Sequence, residues 1–178
     1  MLSGNLFGTK PISTFRHLLL ILVHYTKFTK KIKTMFFSND RTKLRRAYFD
    51  IWQKTIKKLP MEPMEQLISQ VISEHPEYHK MFANEKALNK EFFSETEENP
   101  FMHMGMHLAI REQIATNRPE ILSVCYNTLC NKLGGSHQAE HQMMECLTEM
   151  LWNAQKNNTA PDELAYINCL KKVSDIKI

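Results

Sequence analysis

The sequence predicts an all-α fold, a compact helical bundle of about five to seven helices with antiparallel neighbours, and three observations lead there. Apolar residues recur at steps of three and four through most of the chain, the period of one helix face. Glycine and proline are few, 5 and 7 in 178 residues, and several of them sit where a helix would start or stop. No segment alternates apolar and polar residues in the manner of a half-buried strand. Composition agrees: 43% hydrophobic and 24% charged residues suit a single soluble globular domain with room for a core.

Residues 1–34 differ from the rest. Lys10, Arg16, Lys27, Lys30, Lys31 and Lys33 precede the first acidic residue, Asp40. That segment carries +6 in a chain of formal net charge +4, which leaves −2 for residues 40–178. A mildly acidic folded part gives no electrostatic ground for nucleic-acid binding. The apolar run Leu18–Val23 is far shorter than the roughly 20 residues a membrane span needs, so no transmembrane segment is expected. With Arg16 and His17 directly against the run and no small-residue cleavage site after it, the run does not read as a signal peptide. A basic tether to a membrane surface is the alternative. The preferred organisation is a non-domain N-terminal extension at 1–34 with Met35 as the true start, one helical domain at 35–174, and a tail at 175–178.

The first helix is expected after Ser38-Asn39-Asp40, three good N-cap residues. Leu44, Ala47, Tyr48, Ile51, Trp52, Thr55 and Ile56 form its apolar face, the basic residues Arg41 to Lys58 a solvated one, and Pro60 ends it. Pro63 opens a second helix with Met64, Leu67, Ile68, Val71 and Ile72 inward. His75 falls on the same face, but Pro76 disfavours helical geometry at the residue before it, so the helix should break there and restart with Tyr78, His79 and Phe82. Residues 84–98 read as an acid-rich loop with a short helix around Ala87–Phe93. Asn99-Pro100 starts a helix to about Thr116 with Met106, Ile110 and Ile114 inward, His103 and His107 beside them, and Gly105 where a neighbour could approach closely. A helix from Pro119 to Lys132 stops at Gly134-Gly135. Ser136–Trp152 is the next, with Met143, Met144, Leu147, Met150 and Leu151 as its apolar face. Pro161-Asp162-Glu163 begins the last, with Leu164, Ile167 and Leu170 facing inward. The four cysteines form no CxxC pair and read as reduced packing residues of a cytoplasmic protein.

Chemistry concentrates in histidine. Six of the eight histidines form three i, i+4 pairs: His75/His79, His103/His107 and His137/His141. A helix presents such pairs on one side, so two facing pairs can bring four imidazole nitrogens to one metal ion. The first-choice ligands are His103, His107, His137 and His141, with Glu145 as a carboxylate ligand or bridge. His75 and His79 are weaker because Pro76 interrupts their helix. Glu112 and Glu140 are weaker metal candidates, and one or the other is expected behind the ligands, orienting an imidazole through its free N–H. Imidazole and carboxylate together suit a divalent metal, iron or zinc. The competing interpretation is a buried polar network that fixes helix register, with Arg111 on Glu140 or Glu145 in place of a metal. The sequence has no P-loop, GxGxxG or GxSxG motif, so no nucleotide cofactor is expected and no reaction is specified.

NPFMHMGMHLAIREQ (99–113) and HQAEHQMMECLTEMLWNAQ (137–155) resemble an uncharacterised bacterial family classed as a domain of unknown function. MFFSNDRTKLRRAYFDIWQK (35–54) and ISEHPEYH (72–79) resemble it too. The resemblance covers residues 35–172, implies that residues 1–34 lie outside the domain, and brings no activity with it. The expected protein is thus a cytoplasmic metal-binding helical bundle with a buried His/Glu site, its partners unidentified and a homodimer allowed. The alternative is a non-catalytic helical interaction protein whose His/Glu/Arg cluster is a structural core.

Overall fold

The computed structural model describes residues 41–89 and 99–176, and the expectations for the N-terminal extension, the first N-cap and the Ala87–Phe93 helix beyond residue 89 fall outside these. Among the described residues the fold is all-helical. The α-helices are α1 (Arg41–Ile56), α2 (Pro63–Ser73), α3 (His79–Phe82), α4 (Pro100–Thr116), α5 (Leu122–Leu133), α6 (Ser136–Asn157) and α7 (Glu163–Val173). Short 3-10 turns at Pro76–Tyr78 and Glu85–Asn89 flank α3. No described helix is long and apolar enough to cross a membrane.

The helix ends follow local chemistry. Asn99 caps α4 by accepting from the backbone N–H groups of Phe101 and Met102, with Pro100 in the first turn where its missing N–H costs nothing. Glu62 and Glu65 form a reciprocal box at the start of α2. Asp162 caps α7 through the Ala165 N–H. Three C-termini close in the left-handed region, at Asn117, Gly134 and Asn158, residue types that tolerate it.

Packing places α4 and α6 at the centre. Helix α4 touches α2, α5 and α6, while α6 touches α4, α5 and α7. From Phe101 to Ile110 most of α4 is buried, so it has no solvated face along that stretch. One core runs through all the longer helices, from Tyr48, Ile68 and Ile72 through Met104, Leu108 and Ile110 to Leu147, Leu151 and Leu170. Tyr48, Phe82 and Phe101 form an aromatic group within it, with ring centroids 5.5–5.9 Å apart.

Four details depart from the sequence expectations. Arg45 is buried rather than solvated, donating to the Leu88 carbonyl at 2.9 Å and lying over the Phe101 ring. Leu170 faces inward as expected, but Leu164 is exposed and Tyr166 is buried beside Leu170 on the inner face of α7. A Cβ added at Gly105 would meet nothing within 4 Å, so this glycine is not there to admit a neighbouring helix. Cys146 and Cys169 are joined in a disulfide between α6 and α7, whereas Cys125 and Cys130 are free thiols. The spacing of 23 residues carries no motif, and the pairing becomes visible only once α6 and α7 bring the two Cα atoms to 5.7 Å.

Candidate metal centre

Three chain segments meet between α2, α4 and α6, and each contributes imidazole. Helix α4 contributes His103 and His107 one turn apart on one side. Helix α6 contributes His141. The third segment is the break after α2. Pro76 holds His75 out of helical geometry, at φ −123° and ψ 69°. The α2 ladder stops there, and the His75 ring, fully buried, lies 4.6 Å from that of His107 and 4.8 Å from that of His103 between centroids.

The four rings aim their Nε2 atoms at one another. His75 Nε2 lies 3.1 Å from those of both His103 and His107. His103 Nε2 lies 3.2 Å from those of both His107 and His141, and His141 lies 3.0 Å from His107. Four lone pairs bound to one ion at about 2.0–2.1 Å in a tetrahedron would sit roughly 3.3 Å apart. The observed spacing of 3.0–3.2 Å is close to this, so the four nitrogens could hold one ion.

The outward nitrogens fix the tautomers. His75 Nδ1 is 2.7 Å from the Val71 carbonyl, which can only accept, so the proton is on Nδ1 and Nε2 presents a lone pair. His107 Nδ1 is 2.6 Å from Glu140 Oε2. Arg111 Nε donates to both oxygens of that carboxylate at 3.0 and 3.1 Å, which keeps Glu140 an acceptor and places the His107 proton on Nδ1 as well. Two acceptor nitrogens thus face each other at 3.1 Å in a buried site. Protons on His103 and His141 cannot resolve this, since their own Nε2 atoms are 3.2 Å apart and would then be donor against donor. A cation accepting all four lone pairs removes every conflict at once.

Burial dominates the electrostatics of His75, His107 and Glu140. Burial first, and then the neighbouring imidazoles and Arg111, push the His107 pKa down to about 2. Burial likewise lowers His75, opposed by its hydrogen bond to Val71. Burial holds the Glu140 carboxyl above its ordinary value, and Arg111 opposes this only in part. Burial works against the Arg111 charge too, but Glu140 and Glu74 outweigh it and hold its pKa above the ordinary value. Arg111 also donates to Glu74 through Nη2, so one guanidinium ties α4 to both α2 and α6 behind the imidazoles.

Of the residues singled out from sequence, His103, His107 and His141 converge, and the fourth converging nitrogen is that of His75. His137 stands beside the group, its ring 4.3 Å from His141 and its Nδ1 3.9 Å from Glu74. His79 is turned away, donating to the Ile72 carbonyl at 2.9 Å and lying against the Trp52 ring. Glu140 lies behind the cluster, on the far nitrogen of His107. Glu145 is exposed and receives a hydrogen bond from Gln142 at 2.6 Å, so it is not at the centre. Glu112 is half-buried and not among the converging groups. His75 ranks low from sequence because the proline break interrupts the helix that its i, i+4 spacing with His79 presupposes. Its place on the apolar face of α2, which the sequence shows, is the signal that points it inward.

No curated protein and no solved structure matches the chain significantly. One family profile, Domain of unknown function (DUF1841), matches residues 40–172, a span that contains all four converging histidines together with Glu74, Arg111, His137 and Glu140. By that match the chain belongs to the DUF1841 family.

Proposed function

We propose that this protein binds a single divalent transition-metal ion through His75, His103, His107 and His141. The observation that carries this reading is the pair of acceptor nitrogens on His75 and His107, facing each other at 3.1 Å with both Nδ1 protons committed elsewhere. Buried like-against-like contacts of this kind cost free energy unless a cation sits among them. An all-imidazole set is borderline in softness and suits zinc or iron. Glu140 and the Val71 carbonyl fix two of the rings from behind, the support that metal-bound imidazoles need.

The Arg111 bridge between Glu140 and Glu74 favours one competing reading, a structural polar core in an interaction protein. Arg111, however, lies on the outer side of His107 and does not occupy the point on which the four nitrogens converge. Elemental analysis of untagged protein separates the two readings. Wild type is expected to carry close to one metal ion per chain, and His107→Ala and His141→Ala to carry almost none. Substoichiometric metal in wild type, also after incubation with excess zinc or ferrous ion, would leave the polar-core reading standing.

A further inference from the structure

The four imidazoles are not evenly disposed. In a regular tetrahedral site all six ring-to-ring separations would be equal. Five of the six centroid separations here lie between 4.6 and 5.0 Å. The sixth, between His75 and His141, is 5.9 Å. Opening one edge of a tetrahedron is the distortion that admits a fifth ligand, which enters along that edge. Structural zinc sites are closed, whereas sites that bind a further molecule keep a position open.

A fifth histidine stands at this edge. The His137 ring is 4.7 Å from His75 and 4.3 Å from His141, the two ends of the open edge, and stacks parallel to His107 at 5.3 Å. Its Nδ1 is buried and makes no hydrogen bond, and it faces Glu74 at 3.9 Å, too far for one. A buried imidazole nitrogen with no partner, beside the widened edge of a four-nitrogen site, has one evident use. Building on the metal-binding reading above, we propose that the ion keeps a coordination position between His75 and His141, taken by a small exogenous ligand such as water, hydroxide or a small anion, and that His137 positions this ligand by a hydrogen bond from Nδ1 without ligating the metal itself.

Cobalt(II) loaded into the full chain, with sodium azide as the probe ligand, tests this. A closed four-imidazole cobalt site gives intense visible bands that azide leaves alone, whereas a five-coordinate site has weaker bands that shift as azide replaces water. The wild type is expected to show the weaker bands and a saturable azide shift. His137→Ala is expected to bind cobalt at unchanged stoichiometry and azide about tenfold more weakly, the loss of one hydrogen bond, with His137→Gln recovering part of the affinity. Intense bands insensitive to azide in the wild type would overturn the open position while leaving the metal site intact. Loss of cobalt from His137→Ala, with circular dichroism showing a folded chain, would make His137 a ligand and overturn its positioning role. Failure of the wild type to bind cobalt, zinc or iron at all would overturn the metal reading and this inference with it.

Discussion

The two halves of α6 hold the molecule together in opposite ways. The stretch from Met143 onward carries Met143, Leu147, Met150 and Leu151, all buried in the common core, and is fastened to α7 by the Cys146–Cys169 disulfide. The N-terminal half faces α4 with His141, His137 and a buried carboxylate, Glu140, tied to His107 and Arg111. The first half needs nothing beyond its own contacts. The second buries a charge pair and an array of imidazoles whose lone pairs oppose one another, an arrangement that apolar residues of similar volume could replace at little or no cost in stability. The difference separates the part of α6 that supplies stability from the part where metal binding is proposed: a fold that needed only to close α4 against α6 has less costly ways of doing so.

The largest test of that division is Leu151→Ala. Leu151 is wholly buried, and its truncation should lower the unfolding free energy by about 2–5 kcal/mol, measured by urea denaturation, with metal content per folded chain unchanged. The comparison breaks if Leu151→Ala strips the metal from protein that is still folded, because the two halves would then be one cooperative unit.

The disulfide gives the next effect. Closing a loop across 23 residues stabilises by about 3 kcal/mol through restriction of the unfolded chain. The Cys146→Ser/Cys169→Ser double variant should therefore melt well below wild type, while zinc binding measured by titration calorimetry at a temperature where both are folded stays within a factor of two. A large fall in zinc affinity would show that the α6–α7 tie also positions His141.

How much of this was legible in the sequence depends on whether a feature is local. Caps and periodicity located the helices because Asn99, Pro63, Asp162 and Gly134 act within one turn of themselves. The α4 pair, His103 and His107, was legible for the same reason. The i, i+4, i+8 row on α6 was legible only in part. Each step of four residues turns 40° past a full rotation, so by Glu145 the row is 80° from His137 and has left the α4 seam for solvent. Glu140, which the row bypasses, is the carboxylate that faces inward. His75 and the disulfide were illegible for another reason. The direction of a side chain at a helix break and the distance between Cys146 and Cys169 are set by how helices pack, and one chain's residue spacing does not encode packing directly.

The smallest effect sharpens the comparison by pH. In metal-free protein His75 and His107 are held neutral by burial, with pKa values below the ordinary 6.5. The unfolded chain therefore binds more protons than the folded one once the pH falls below about 6.5, and stability must drop from that point downward. The stabilisation belonging to these two groups is fully present above pH 6.5 and is lost as the pH falls toward their folded pKa values. Each contributes a slope of up to about 1.4 kcal/mol per pH unit. Urea titrations of chelator-treated protein between pH 7.5 and 5 should show a falling midpoint. Replacing His107 by Gln should remove one proton's share of that slope. Leu151→Ala should lower the midpoint at every pH by a similar amount and leave the slope alone, since the substitution neither removes nor adds an ionisable group. A slope that is unchanged in His107→Gln and shallower in Leu151→Ala would place the proton linkage in the wrong half of the helix, and the division between an apolar end that supplies stability and a polar end kept for its ligand would have to be given up.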